Sequence, residues 1–227
     1  MQNTRYKDKG YTMYKSLLLV SISLGNLFIT PVFAGGPAKG VIELFTSQGC
    51  SDCPPADRTL ASYADRGGYI TLAWHVDYWD YLGWKDTFSS KSATNRQQAY
   101  NSKIGAGVFT PQFVTNGQHN GLSGGGGLPI AVNVKNNGGS LSVSAGAGSG
   151  SATFYLVTYT NSATVQVQRG ENAGKNITYR HPVSALRSIG QWNGNPVTLN
   201  VPHGGRDCAV LLQRGSNGPI IGAASCS

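Results

Sequence analysis

Val41-Ile42-Glu43-Leu44-Phe45-Thr46-Ser47-Gln48-Gly49-Cys50-Ser51-Asp52-Cys53-Pro54-Pro55-Ala56-Asp57-Arg58-Thr59-Leu60 is the stretch on which the fold turns. Val41–Phe45 is a short apolar run and reads as a buried strand. Ala56–Asp65 reads as a helix with Ala56, Leu60 and Ala64 on one face. Proline is tolerated only in a helix's first turn, so Pro54 and Pro55 put the helix start at or just after Cys50. Between strand and helix lies Cys50-Ser51-Asp52-Cys53. Two cysteines at this spacing on a strand-to-helix turn are what a dithiol/disulfide redox site needs. The free N–H groups and macrodipole at the helix N-terminus supply the positive potential a thiolate requires. This placement makes Cys50 the exposed, attacking cysteine and Cys53 the less accessible, resolving one.

Working outward, Tyr69–Trp74 reads as a second buried strand. Lys91–Lys103 reads as a second helix, ended by Gly105 and Gly107. Strand–helix–strand order argues for an α/β unit with a partly parallel sheet. Gly121-Leu122-Ser123-Gly124-Gly125-Gly126-Gly127 lacks the Lys-Ser/Thr ending of a phosphate-binding loop and reads as a flexible junction. Beyond it, seven short runs read as strands: Ser140–Ser144, Ala152–Tyr159, Thr164–Gln168, Ile177–Tyr179, Val197–Val201, Ala209–Leu212 and Pro219–Ala224. Val183–Ile189 alone looks helical in this half. The expected architecture is an α/β domain over residues 35–127 followed by a β-rich, sandwich-like module over 128–227.

Residues 1–34 read as a signal peptide. Arg5, Lys7, Lys9 and Lys15 precede a largely apolar Leu17–Phe33, and Val32-Phe33-Ala34 offers a cleavage site. Gly25, Asn26 and Pro31 interrupt the run, which argues against a permanent membrane span. Without the leader, 14 basic and 9 acidic residues leave a formal charge of +5, dispersed along the chain. No basic cluster points to nucleic acid. A periplasmic or secreted location follows, and there four cysteines are expected to pair or to do redox work.

The segment Val108-Phe109-Thr110-Pro111-Gln112-Phe113-Val114 adds a second signature. With the CxxC strand–helix, it resembles the thioredoxin superfamily, in which a Thr-Pro with cis proline precedes a strand beside the cysteines. The resemblance implies that Pro111 abuts the disulfide and that Thr110 binds an extended substrate segment through its backbone. Glu43 to Asp57, His75-Val76-Asp77-Tyr78-Trp79-Asp80-Tyr81-Leu82-Gly83-Trp84-Lys85-Asp86 and Arg169-Gly170-Glu171-Asn172-Ala173-Gly174 resemble more closely the domain of unknown function 1223 family. That family comprises exported bacterial proteins regarded as thioredoxin-like. The resemblance implies a thioredoxin-like domain followed by the β-rich C-terminal module, and no established substrate.

Glu43 is either the buried proton shuttle for the resolving thiol or a solvent-facing strand residue. His75 and Asp77 close the second strand, at the sheet end where α/β ligands bind. They are candidate substrate contacts, although a hydrogen-bonded structural role suits His75 better. Trp79 belongs to an aromatic run that either lines a peptide groove or packs, and Trp74 and Trp84 are read as packing. Cys208 and Cys226 bracket a hairpin whose turn centres on Asn217, a register that allows a structural cross-strand disulfide. The expected function is an exported thiol–disulfide oxidoreductase, a reductase or isomerase, with a protein or peptide thiol or disulfide as partner and no cofactor. The rivals are a soft-metal (copper) carrier using Cys50, Cys53 and His75, and a redox-silent binding module.

Overall fold

A computed structural model describes residues 1–3, 38–123 and 126–226. The expected leader lies outside these apart from its first three residues, as do Gly124 and Gly125 of the glycine-rich run. β1 (Gly40–Thr46) leads into α1 (Cys53–Arg66), which returns the chain to β2 (Tyr69–His75). A single 3-10 turn at Asp80–Leu82 precedes α2 (Lys91–Ile104), then β3 (Gln112–Thr115) and β4 (His119–Asn120). The remaining strands are β5 (Val132–Asn136), β6 (Ser140–Ala145), β7 (Ala152–Tyr159), β8 (Ser162–Gln166), β9 (Asn176–Arg180), β10 (Val183–Trp192), β11 (Val197–Pro202), β12 (Cys208–Gln213) and β13 (Ile220–Ser225).

α1 and α2 have local causes. Pro54 and Pro55 occupy the first turn of α1, where their missing N–H groups cost nothing. Ser90 caps α2 by accepting from the Ala93 N–H at 3.2 Å, and Gly105 ends it at φ +72°.

Among the described residues these strands form four small sheets, in the orders β2-β1-β3-β4, β10-β7-β12-β13, β11-β6-β5 and β8-β9. β1 and β2 are parallel, joined through α1; β3 runs antiparallel to β1. Alternation along β1 sends Ile42 and Leu44 to Ala56 and Leu60 of α1. Val41 and Phe45 face the other way. They share a core with Ala93 and Tyr100 of α2 and with Val157, Ala209, Leu211 and Ala223 of the second sheet. The opposite face of that second sheet buries Phe154, Leu156, Val210 and Leu212 against Val132, Leu141, Val143 and Val201 of the third. β12 is therefore buried on both faces, which accounts for its unbroken apolar run Cys-Ala-Val-Leu-Leu.

This layering corrects the expected fold class. The described residues are mainly β, with 41% in strand against 16% in helix and several small sheets, rather than a thioredoxin-like α/β domain followed by a β-rich module. The physical reason is that β12 is apolar on both faces: Ala209 and Leu211 complete the core around Phe45 while Val210 and Leu212 complete the core around Phe154. A second correction concerns Val183–Ile189, which is not helical but lies in β10, paired antiparallel with β7. Register shifts at Val183/Ala185 and Ser188/Gly190 insert extra residues into that strand. The first shift puts Val183 and Leu186, three residues apart, against the core around Phe45, while Ile189, at the second shift, packs against the core around Phe154.

Cys208 and Cys226 form a disulfide across β12 and β13, and the Cys226 N–H donates to the Cys208 carbonyl at 2.9 Å. The register holds from Ala209↔Ser225 to Leu212↔Gly222, the symmetry about Asn217 read from the sequence. Closing this loop stabilises the hairpin by about 3 kcal/mol on the chain-entropy estimate.

Candidate functional site

The site begins where β1 ends. Past Thr46 the chain tightens into a turn in which the Cys50 N–H donates to the Ser47 carbonyl at 3.2 Å and the Gly49 N–H to Ser47 Oγ at 3.1 Å. α1 starts at Cys53, one residue after Asp52, and a disulfide joins Cys50 to Cys53 with Cα atoms 5.4 Å apart. Ser51 and Asp52 are exposed. Cys50 is not: it is 2% exposed and Cys53 0%. The expected difference in accessibility between the two cysteines is absent, because a distant segment lies against the turn.

That segment is the connection between β8 and β9, the Arg169–Gly174 stretch to which sequence reasoning gave no role. Asn172, fully buried, donates through Nδ2 to the Gln48 carbonyl at 3.0 Å and the Cys50 carbonyl at 2.8 Å. Lys175 Nζ donates to Asn172 Oδ1 at 2.8 Å and so fixes the amide's orientation. Glu171 Oε2 accepts the Ser51 N–H at 3.1 Å. A buried asparagine whose side-chain amide is occupied at both nitrogen and oxygen holds the CxxC turn from outside.

Trp79 approaches the turn from another direction. A Cβ on Gly49 would come within 3.2 Å of Trp79 Cβ, so glycine is what lets the start of the Trp79 side chain lie this close. Trp79 Nε1 donates to Thr110 Oγ1 at 2.8 Å, bringing together two of the expected substrate-binding residues. The Thr110–Pro111 peptide is cis. Gln97 of α2 secures this segment, its Nε2 donating to the Phe109 carbonyl at 2.7 Å and to Gln112 Oε1 at 2.9 Å. Asp77 turns to α2 as well, its Oδ1 accepting from Thr94 Oγ1 at 2.5 Å.

Glu43 is wholly buried, so the solvent-facing alternative is set aside. Its carboxylate is fully engaged. Oε1 accepts from Arg96 Nε at 2.7 Å and Trp74 Nε1 at 2.8 Å, and Oε2 accepts from the Tyr100 hydroxyl at 2.6 Å. The Glu43 charge holds the Arg96 guanidinium above its ordinary pKa despite the cost of burial. Gln213 of β12 joins the network, donating to the Tyr100 hydroxyl at 2.9 Å and accepting from Arg96 Nη1 at 3.2 Å.

A different buried acid lies on the helix that carries Cys53. Asp57 is 3% exposed and sits one helical turn beyond Cys53. Its Oδ1 accepts from Thr46 Oγ1 at 2.9 Å, while Oδ2 is buried without a hydrogen-bond partner. Burial pushes its carboxyl up to about 7, against the pull of the neighbouring His75. His75 Nδ1 lies 2.7 Å from Asp86 Oδ2, which also accepts the Gln48 N–H at 2.8 Å; His75 Nε2 has no partner. The His75 ring meets Phe88 and Tyr179 edge-on. Sequence reasoning passed over Asp57. Its signal was the i, i+4, i+7 spacing of Cys53, Asp57 and Leu60, which puts a carboxyl on the helix's buried face.

Among the described residues no group of three or more His, Cys, Asp or Glu is placed to hold a metal ion. No helix among them is long and apolar enough to cross a membrane.

Fold and site together define a mainly β protein carrying a CxxC disulfide that is buried under a loop from its own β-rich half. The chain belongs to the family described as protein of unknown function (DUF1223), which matches residues 41–213. It is similar to a protein of Agrobacterium tumefaciens with a known crystal structure, at 36% identity and a TM-score of 0.73. The match covers 83% of this chain and 93% of that one. HBP35 of Porphyromonas gingivalis shares the fold at 16% identity, with a TM-score of 0.55, covering 82% of this chain and 74% of that one. No curated protein matches it.

Proposed function

We propose that the chain is an exported thiol–disulfide oxidoreductase acting through Cys50 and Cys53 on protein or peptide substrates. The observation that carries this reading is the Cys50–Cys53 disulfide at the first turn of α1, where helix N–H groups favour a thiolate. In the reducing direction the Cys50 thiolate attacks a substrate disulfide and expels one substrate thiolate. Cys53 then attacks Cys50 Sγ, expels the second, and closes the Cys50–Cys53 bond. Two electrons pass to the substrate, and an external dithiol restores the reduced pair. Two disulfides in one chain support a periplasmic or secreted setting.

The test is insulin reduction with dithiothreitol as recharging dithiol. Wild-type protein is expected to accelerate precipitation of the insulin B chain, and Cys50→Ser to abolish the acceleration. A wild type no faster than dithiothreitol alone would sink the proposal.

Two carboxylates oppose a Cys50 thiolate. Asp52 is two residues away, and Glu171 takes up the Ser51 N–H. Disfavouring the thiolate disfavours the dithiol form and lowers the reduction potential. A potential well below the roughly −120 mV of a strong oxidant is expected. Glu171→Gln should raise it by roughly 10–30 mV, measured by equilibration with glutathione buffers. An unchanged potential would remove Glu171 from this account.

A further inference from the structure

Resolution of a mixed disulfide needs a base. Cys53 must lose its thiol proton to attack Cys50 Sγ, and a residue 0% exposed has no direct path to solvent for that proton. Glu43 is engaged three times over, by Arg96, Trp74 and Tyr100, and neither of its oxygens is left unpartnered. Asp57 differs on each point. It lies four residues after Cys53 on α1, hence on the same face, with Cβ atoms about 5–6 Å apart in regular helix. Helical side chains lean toward the N-terminus, so the Asp57 carboxyl leans toward the turn that holds Cys53. One oxygen is fixed by Thr46 Oγ1 and the other is buried and unpartnered.

We propose that Asp57 exchanges a proton with the Cys53 thiol during resolution. The proposal rests on the redox reading above and names the proton-transfer group of that same site. Cys53 S–H gives its proton to Asp57 Oδ2, and the resulting thiolate forms a bond to Cys50 Sγ. The bond from Cys50 Sγ to the substrate sulfur breaks with its electron pair on the leaving thiolate, which takes a proton from solvent. Asp57 releases its own proton before the next cycle. The groups that face Asp57 are Thr46 from β1, His75 from β2, Asp86 from the segment before α2, Tyr179 from β9 and Arg58 beside it on α1. His75 and Arg58 favour the ionised carboxylate and Asp86 the protonated acid. With its carboxyl at about 7, Asp57 can both accept and donate near neutrality.

The experiment mixes reduced protein with an excess of an aromatic disulfide whose thiolate absorbs visibly, and follows the two thiolate releases in time from pH 5 to 9. The first release reports attack by Cys50 and the second reports resolution by Cys53. Asp57→Asn keeps the Thr46 bond through its amide oxygen. It is expected to leave the first release within about 2-fold and slow the second by about 10–100-fold, with loss of the pH inflection near 7. Asp57→Glu should recover part of the rate and restore an inflection, a rescue that a merely structural residue would not show. The wild type must itself show that inflection in the second release, which keeps the proposal testable should either variant misfold. A second release that keeps wild-type rate and profile in Asp57→Asn overturns the proposal and leaves the redox function standing. A wild type that never makes the second release overturns the redox reading and the proposal together.

Discussion

Replacing Arg96 with alanine is expected to destabilise the protein by about 3–5 kcal/mol, the range for stripping one partner from a buried ion pair. The loss is not the worth of the pair but the charge left behind. Glu43 is 0% exposed, and without the guanidinium its carboxylate keeps only Trp74 Nε1 and the Tyr100 hydroxyl. Glu43→Gln should cost less, because arginine retains the Tyr100 hydroxyl and Gln213. The double variant Glu43→Gln/Arg96→Ala removes both charges and should lose clearly less stability than the two single losses summed. Urea unfolding at pH 7 measures all three. Strict additivity would show that the two charges are not coupled. The penalty has a structural reach, because Gln213 ties the network to β12. The same substitution loosens the first sheet's hold on the second.

Wild-type stability is expected to fall as pH rises from about 4 to about 7, and Asp57→Asn to abolish that contribution. In the unfolded chain Asp57 ionises near its ordinary 3.8; in the fold burial holds the proton until about 7. Between those values the folded state binds more protons than the unfolded one, so raising pH favours unfolding. The full displacement corresponds to about 4 kcal/mol, reached above pH 7. Asparagine carries no charge to bury. The variant should therefore be more stable than the wild type at pH 8 and nearly equal to it at pH 4. Thermal unfolding across pH 4–9 checks this, and parallel curves for the two proteins would remove Asp57 as the cause. Stability gained where resolution slows is the mark of a group kept at a cost.

Much of the site was legible in residues 41–60. The strand, the helix start set by Pro54 and Pro55, and the pairing of Cys208 with Cys226 all follow from local rules of spacing and backbone restriction. What escaped was non-local. Asn172 reaches the Cys50 carbonyl across 122 residues of chain, and no property of an asparagine in a Gly-rich loop announces where its amide will bond. The fold class failed for a related reason. β12 reads as one more short strand in a β-rich half, and only its lack of polar alternation hints that both its faces are covered. β5 was missed because Asn133, Lys135 and Asn136 dilute an alternation that Val132 and Val134 carry alone. The bulges of β10 imitate helical spacing in a strand.

The central place of β12 has a consequence for how the molecule is made. Synthesis runs from the N-terminus, yet the strand that closes both cores occupies residues 208–213 and its hairpin partner ends at 225. The apolar positions around Phe45 and Trp74 emerge long before the surface that will cover them. A nascent chain must keep those residues shielded until the strands at 208–225 have emerged, more than 130 residues after β2.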